Sequence, residues 1–85
     1  MVYIMKVNEL LKVIENGTSF NIYDSNTNST IINNATTSNY FIFEYILNSD
    51  IIAINTSCDN CDIEIVIWKY ESEWFNEKLI IKNQI

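Results

Sequence analysis

The chain has 85 residues, 48% of them hydrophobic, and eleven acids against five lysines give it a net charge of −6, with no His, no Arg, no Pro and a single Gly. A domain this small has room for one core and little for a rigid catalytic cleft, and without His or Arg most acid–base catalysts and phosphate clamps lack their side chains. The negative field disfavours nucleic acid and anionic membrane surfaces as direct partners and favours basic proteins.

Residues 1–4 are expected as a frayed or extended tail, with Met5-Lys6 opening the first helix. Val7, Leu10, Leu11 and Ile14 recur at i, i+3, i+4 and i+7, the stripe of a helix that lies on a core. Asn16-Gly17 closes it, because Gly accepts the left-handed backbone of a C-cap. From Thr18 the period becomes two: Phe20 and Ile22 share a face with Thr18 and Asp24, while Ser19, Asn21 and Tyr23 share the other. Ser25 to Asn28 are turn formers and Ser29 to Asn33 returns, which makes a hairpin.

Tyr40 to Leu47 combines strand-like aromatics with helical spacing, Phe41 to Tyr45 and Ile42 to Ile46, and is expected as a short helix or turn. Asp50 to Thr56, the turn Cys58-Asp59-Asn60-Cys61 and Asp62 to Tyr70 predict a second hairpin. In its return strand Ile63, Ile65 and Ile67 face one way and Asp62, Glu64, Val66 and Trp68 the other, one face being core and the other partly wet. Ser72 stands where a cap would open a last helix from Trp74 to Ile81, and Leu79-Ile80-Ile81 reads equally as a short strand. The expected fold is α+β: a single domain over 1–85 whose small antiparallel sheet of about four strands carries an N-terminal helix and a C-terminal helix on one face.

Cys58-x-x-Cys61 is the one chemical motif. A redox pair needs its first Cys at a helix N-terminus, whereas this pair is flanked by strands; a structural zinc needs about four ligands, which only two chains together would supply. Both cysteines are therefore expected as unbridged turn thiols. The carboxylates read as a solvated surface, so no catalytic residue, no metal site and no cofactor is assigned.

Sixteen Ile and thirteen Asn reflect A+T-rich codons, a bias that Lys shares, so the scarcity of Lys belongs to the protein itself. Residues 39–85 carry eight of the eleven acids, and the same half holds Trp68, Tyr70, Trp74 and Phe75. Acids and hot-spot aromatics together mark a partner-binding surface of Asp59, Asp62, Glu64, Trp68, Tyr70, Glu71, Glu73 and Glu77, with Trp68 partly exposed and Trp74 in the core.

The run Met5-Lys6-Val7-Asn8-Glu9-Leu10-Leu11-Lys12-Val13-Ile14-Glu15-Asn16, followed by a strand and the turn Ser25-Asn26-Thr27-Asn28-Ser29, resembles the opening of small acidic anti-CRISPR proteins of phages and mobile elements in A+T-rich Gram-positive bacteria. The resemblance implies a small α+β unit whose acidic surface mimics DNA and occupies the groove of a Cas9-type effector. Where that family has an acid-rich loop, this chain has Thr36-Thr37-Ser38-Asn39. The expected function is thus a non-catalytic inhibitor, in the cytoplasm of a bacterial host, of a basic nucleic-acid-binding host protein. The alternative is a small phage structural or assembly protein whose apolar and aromatic surface makes a homodimer or larger homo-oligomer.

Overall fold

The computed structural model describes residues 4–56, 60–68 and 79–83. In chain order they form α1 (Val7–Val13), β1 (Ser19–Asp24), β2 (Ser29–Thr36), β3 (Asn39–Phe43), α2 (Glu44–Leu47), β4 (Ile51–Asn55), β5 (Ile63–Ile67) and β6 (Leu79–Asn83). The six strands make one sheet in the order β4-β5-β1-β2-β3-β6. β1 and β5 run parallel, in the register Phe20 to Ile63, Ile22 to Ile65 and Asp24 to Ile67, and the other neighbours are antiparallel.

This six-stranded mixed sheet with two short helices replaces the expected four-stranded antiparallel sheet with a helix at each end. Two segments account for the difference, for physical reasons. Tyr40 to Leu47 is divided at Phe43/Glu44 into a strand and a helical turn. The i, i+4 coincidences straddle that boundary, and up to it the aromatic and β-branched content prevails. Leu79 to Asn83 pairs with β3 at five positions, from Phe43 with Leu79 to Asn39 with Asn83, so its apolar run is a strand and not the end of a helix. The expected helix start from Ser72 to Lys78 lies outside the described residues. The two predicted hairpins do form, and β5 joins them by docking on the open edge of β1.

The core lies on the helical face of the sheet. Val7, Leu10 and Leu11 of α1 and Ile46 and Leu47 of α2 pack with Phe20, Ile22, Ile42, Ile65 and Ile67, all on the same face by strand alternation. α1 is short and poorly capped: Lys has no acceptor to offer, so only the return bond forms, from the Lys6 backbone N–H to Glu9 Oε1 at 3.0 Å. Its start is held instead by tertiary bonds, Val7 N–H to Ser49 O at 3.1 Å and Ile51 N–H to Met5 O at 2.9 Å. Lys6 adds an exposed ion pair to Asp50 at 3.1 Å, a contact of the kind worth under about 1 kcal/mol. The helix ends at Val13, ahead of Gly17, whose φ of 89° belongs to the turn into β1.

Among the described residues three polar ones are buried, and the fold bonds each of them. Thr37 Oγ1 accepts from Gly17 N–H at 2.7 Å and donates to Glu15 O at 3.1 Å, tying the β2–β3 turn to the α1–β1 connection. Ser49 Oγ donates to Tyr45 O at 2.8 Å. Asp24, at the end of β1 on the core face, accepts from Asn26 N–H at 3.2 Å and from Thr27 Oγ1 at 2.8 Å, so the acid at the end of an apolar stripe nucleates the hairpin turn. Among the described residues no buried side-chain N or O lacks a partner, and no helix is long and apolar enough to cross a membrane.

The cysteine expectation is also corrected, because Cys61 is disulfide-bonded and the chain's other cysteine is Cys58.

Burial disfavours the Tyr45 phenolate and the Asp24 carboxylate repels it, so Tyr45 titrates above the ordinary tyrosine value of about 10. The unfolded chain therefore releases this proton at lower pH than the fold does. The stabilisation is complete below pH ~10 and is lost as pH rises through the higher folded value. Urea denaturation between pH 9 and pH 12 checks this: Tyr45→Phe is expected to lose less stability over that interval than the parent chain.

Candidate protein-interaction surface

Strand alternation puts Tyr40 and Ile42 of β3 on the core face and Phe41 and Phe43 on the outer face. In β6 Ile80 lies opposite Ile42, while Leu79 and Ile81 lie opposite Phe43 and Phe41. The outer face of this two-stranded ribbon thus carries two cross-strand apolar pairs, and all four side chains meet solvent: Phe41 is 69% exposed, Ile81 60%, Leu79 43% and Phe43 39%. A sheet with one wet face is expected to be polar there. These four side chains expose roughly 400 Å² together, a size at which apolar patches mark contact sites. Phe43 is held in place by stacking on Tyr45, with ring centroids 5.8 Å apart.

The ribbon is almost cut off from the rest of the sheet. β2 and β3 are joined by the short turn at Thr37, yet their ladder consists of Thr36 with Asn39 alone. β2 follows β1 instead, with register shifts on either side of Ile22. Asn34 takes a left-handed φ of 57°, and its N–H is held by Asn21 Oδ1 at 2.9 Å. Asn is among the few residues that adopt this backbone readily, and the resulting bulge bends the strand. A groove of about 410 Å³ opens in the seam, walled by Ile31, Ala35, Tyr40, Phe41 and Ile81 and edged by Asn33, Asn39 and Lys82.

Of the binding residues expected from the sequence, Asp62, Glu64 and Trp68 are described; Asp59, Tyr70, Glu71, Glu73 and Glu77 lie outside the described residues. Asp62 Oδ2 accepts from Ser19 N–H at 2.9 Å, and Asp62 N–H returns to Ser19 O at 3.1 Å, so this carboxylate fastens the start of β5 to the start of β1. Glu64 Oε1 accepts from Asn55 Nδ2 at 3.0 Å, a cross-strand pair on the outer face. Trp68, 43% exposed as expected, stands with Ile4 and Ile52 beside the Lys6–Asp50 ion pair, in a separate cleft of about 380 Å³. The three therefore belong to the β4–β5 side of the sheet, and the apolar ribbon belongs to the opposite side.

The helical spacing within Tyr40 to Leu47 conceals the ribbon in the sequence. The available signal was the doubled alternation of Phe41-x-Phe43 and Leu79-x-Ile81, each with an apolar residue between. Among the described residues no three His, Cys, Asp or Glu side chains gather as a metal site. No protein-family model, curated protein or solved structure matches the chain.

The bonding of Asp62 predicts what its removal does. Asp62→Ala leaves Ser19 N–H without its carboxylate and is expected to lower stability by about 1–2 kcal/mol, as charge-assisted hydrogen bonds do. Glu64→Ala, which gives up one exposed pair, is expected to cost under about 1 kcal/mol. Urea midpoints of the two variants give the comparison.

Proposed function

We propose that the chain is a non-catalytic assembly protein, of the kind carried by phages and mobile elements, that works by sealing its β3–β6 ribbon against a second copy of itself. The single observation that carries this reading is the ribbon's outer face, where Phe41, Phe43, Leu79 and Ile81 stand exposed in register. The edge of the sheet points the same way. Among the described residues β6 is the outermost strand on its side, its five-residue ladder with β3 is regular, and it has neither Pro nor bulge, so Lys82 alone guards it. The opposite edge strand, β4, is bulged between Ile51 and Ala53.

Two copies related by a two-fold axis perpendicular to the sheet, beside β6, pair their β6 edges antiparallel and set their two patches side by side on one face. Leu79 and Ile81, on the strand at the junction, then meet their counterparts across the new ladder, and the paired strand edges add main-chain bonds to that apolar contact. Charge permits the contact locally: the chain is anionic overall, but Asn39–Phe43 and Leu79–Asn83 contain no acid.

Acidic mimicry of DNA toward a basic effector stands second. It is supported by the net charge of −6. Against it, five of the described carboxylates, Glu9, Asp24, Asp50, Asp62 and Glu64, each accept a hydrogen bond within the fold. Residence in a bacterial cytoplasm belongs to either reading, and in that compartment the bridge at Cys61 would stand reduced.

Light scattering over a dilution series is the test. The parent chain is expected to show a dimeric mass that persists in 1 M NaCl, where the Debye length is about 3 Å and ionic contacts are screened. Phe41→Asp and Leu79→Asp, at exposed positions, are expected to raise the dimer dissociation constant about tenfold or more while leaving the circular dichroism unchanged. A monomeric mass at every concentration, or a dimer indifferent to both substitutions, removes this reading.

A further inference from the structure

We propose that the groove in the β2–β3 seam receives an extended peptide segment of another protein, bearing a carboxylate that meets Lys82. Three observations combine. First, β2 and β3 run on as strands from Ser29 to Thr36 and from Asn39 to Phe43, yet they pair only at Thr36 with Asn39. Beyond that pair the two strand edges face each other across the groove, and an inserted strand takes up main-chain bonds from both sides, antiparallel to one and parallel to the other. Second, Ile31, Phe41 and Ile81 wall the groove, and Asn33 beside them brings a carboxamide suited to peptide groups. Third, Lys82 carries the one charge among the described residues that line it, in a chain of net charge −6. The groove thus presents a cation and no acid among its described lining residues, in a chain that is acidic overall, which selects a peptide with Asp or Glu over a basic one. A groove flanked by two unpaired strand edges suits an extended chain better than a compact small molecule.

This site shares Phe41 and Ile81 with the outer-face patch, but its strand-pairing edges are those of β2 and β3, whereas the dimer pairs through the edge of β6. Leu79 does not line the groove, so the Leu79→Asp variant separates the two.

The experiment titrates 15N-labelled protein, parent and Leu79→Asp, with the acetylated peptide amide Thr-Val-Glu-Val-Thr-Val and with its twin bearing Gln in place of Glu. Amide shifts are expected to move at Ile31, Asn33, Ala35 and Tyr40 in both proteins, and the Glu peptide is expected to bind about three- to fivefold more tightly than its twin. Lys82→Glu is expected to abolish or reverse that preference, and Lys82→Gln to level it while keeping the fold. The proposal fails if no β2 or β3 amide moves at millimolar peptide, if shifts fall only on β4 or β6, or if both Lys82 variants keep the preference for Glu. Failure of the dimer with persistence of these shifts leaves this site standing alone.

Discussion

The parallel pairing of β1 with β5 is the contact on which the rest of the sheet depends. Parallel neighbours need a long crossover, and here the crossover contains β2, β3, α2 and β4. One ladder therefore closes much of the chain and brings the two hairpins into a single sheet. Its register, unbroken from Phe20 with Ile63 to Asp24 with Ile67, sets the apolar faces of both strands side by side. That gives α1 and α2 a continuous floor of Phe20, Ile22, Ile65 and Ile67 to pack on. Neither helix is long enough to be stable alone, so each exists because that floor does. So many sequence-distant contacts imply slow folding, since loop closure precedes the burial that compensates it.

The same constraint explains why the other end of the sheet is different. β2 is bound tightly to β1 and bends with it through the bulge at Asn34, and β3 cannot follow both β2 and its own partner β6. β3 resolves the conflict in favour of β6, with five ladder pairs against one. The inner face of the resulting ribbon reaches the common core through Ile42, while its outer face has apolar residues and no layer of described structure over it. A ribbon apolar on both faces reads as a strand pair built to be buried on both. In the isolated chain it is half-buried, and the assembly reading follows from that imbalance.

What the sequence disclosed followed from how local each signal was. The Val7 to Ile14 stripe and the alternation of Phe20, Ile22 and Asp24 are short-range patterns, and both reappear with the expected residues inward, down to the buried carboxylate of Asp24. Ile63, Ile65 and Ile67 likewise face the core, and Trp68 is partly exposed. The parallel β1–β5 junction had no local mark, because an apolar strand edge looks the same whichever partner takes it. The Tyr40 to Leu47 segment misled because two structural periods meet inside it, and Asp62 looked like a partner-facing acid because its bond to Ser19 spans 43 residues. Charge alone could not separate a carboxylate that ties strands together from one that meets a partner.

The central claim is that the β3–β6 ribbon is a contact surface left open in the single chain. Hydrogen exchange followed by mass spectrometry at two protein concentrations, one below and one well above the association midpoint, tests it most directly. The account predicts that amides of Leu79–Asn83 gain protection at the higher concentration while those of Ile51–Asn55, on the bulged opposite edge, exchange alike at both. Equal exchange of β6 at the two concentrations, or protection that appears on β4 instead, would contradict it.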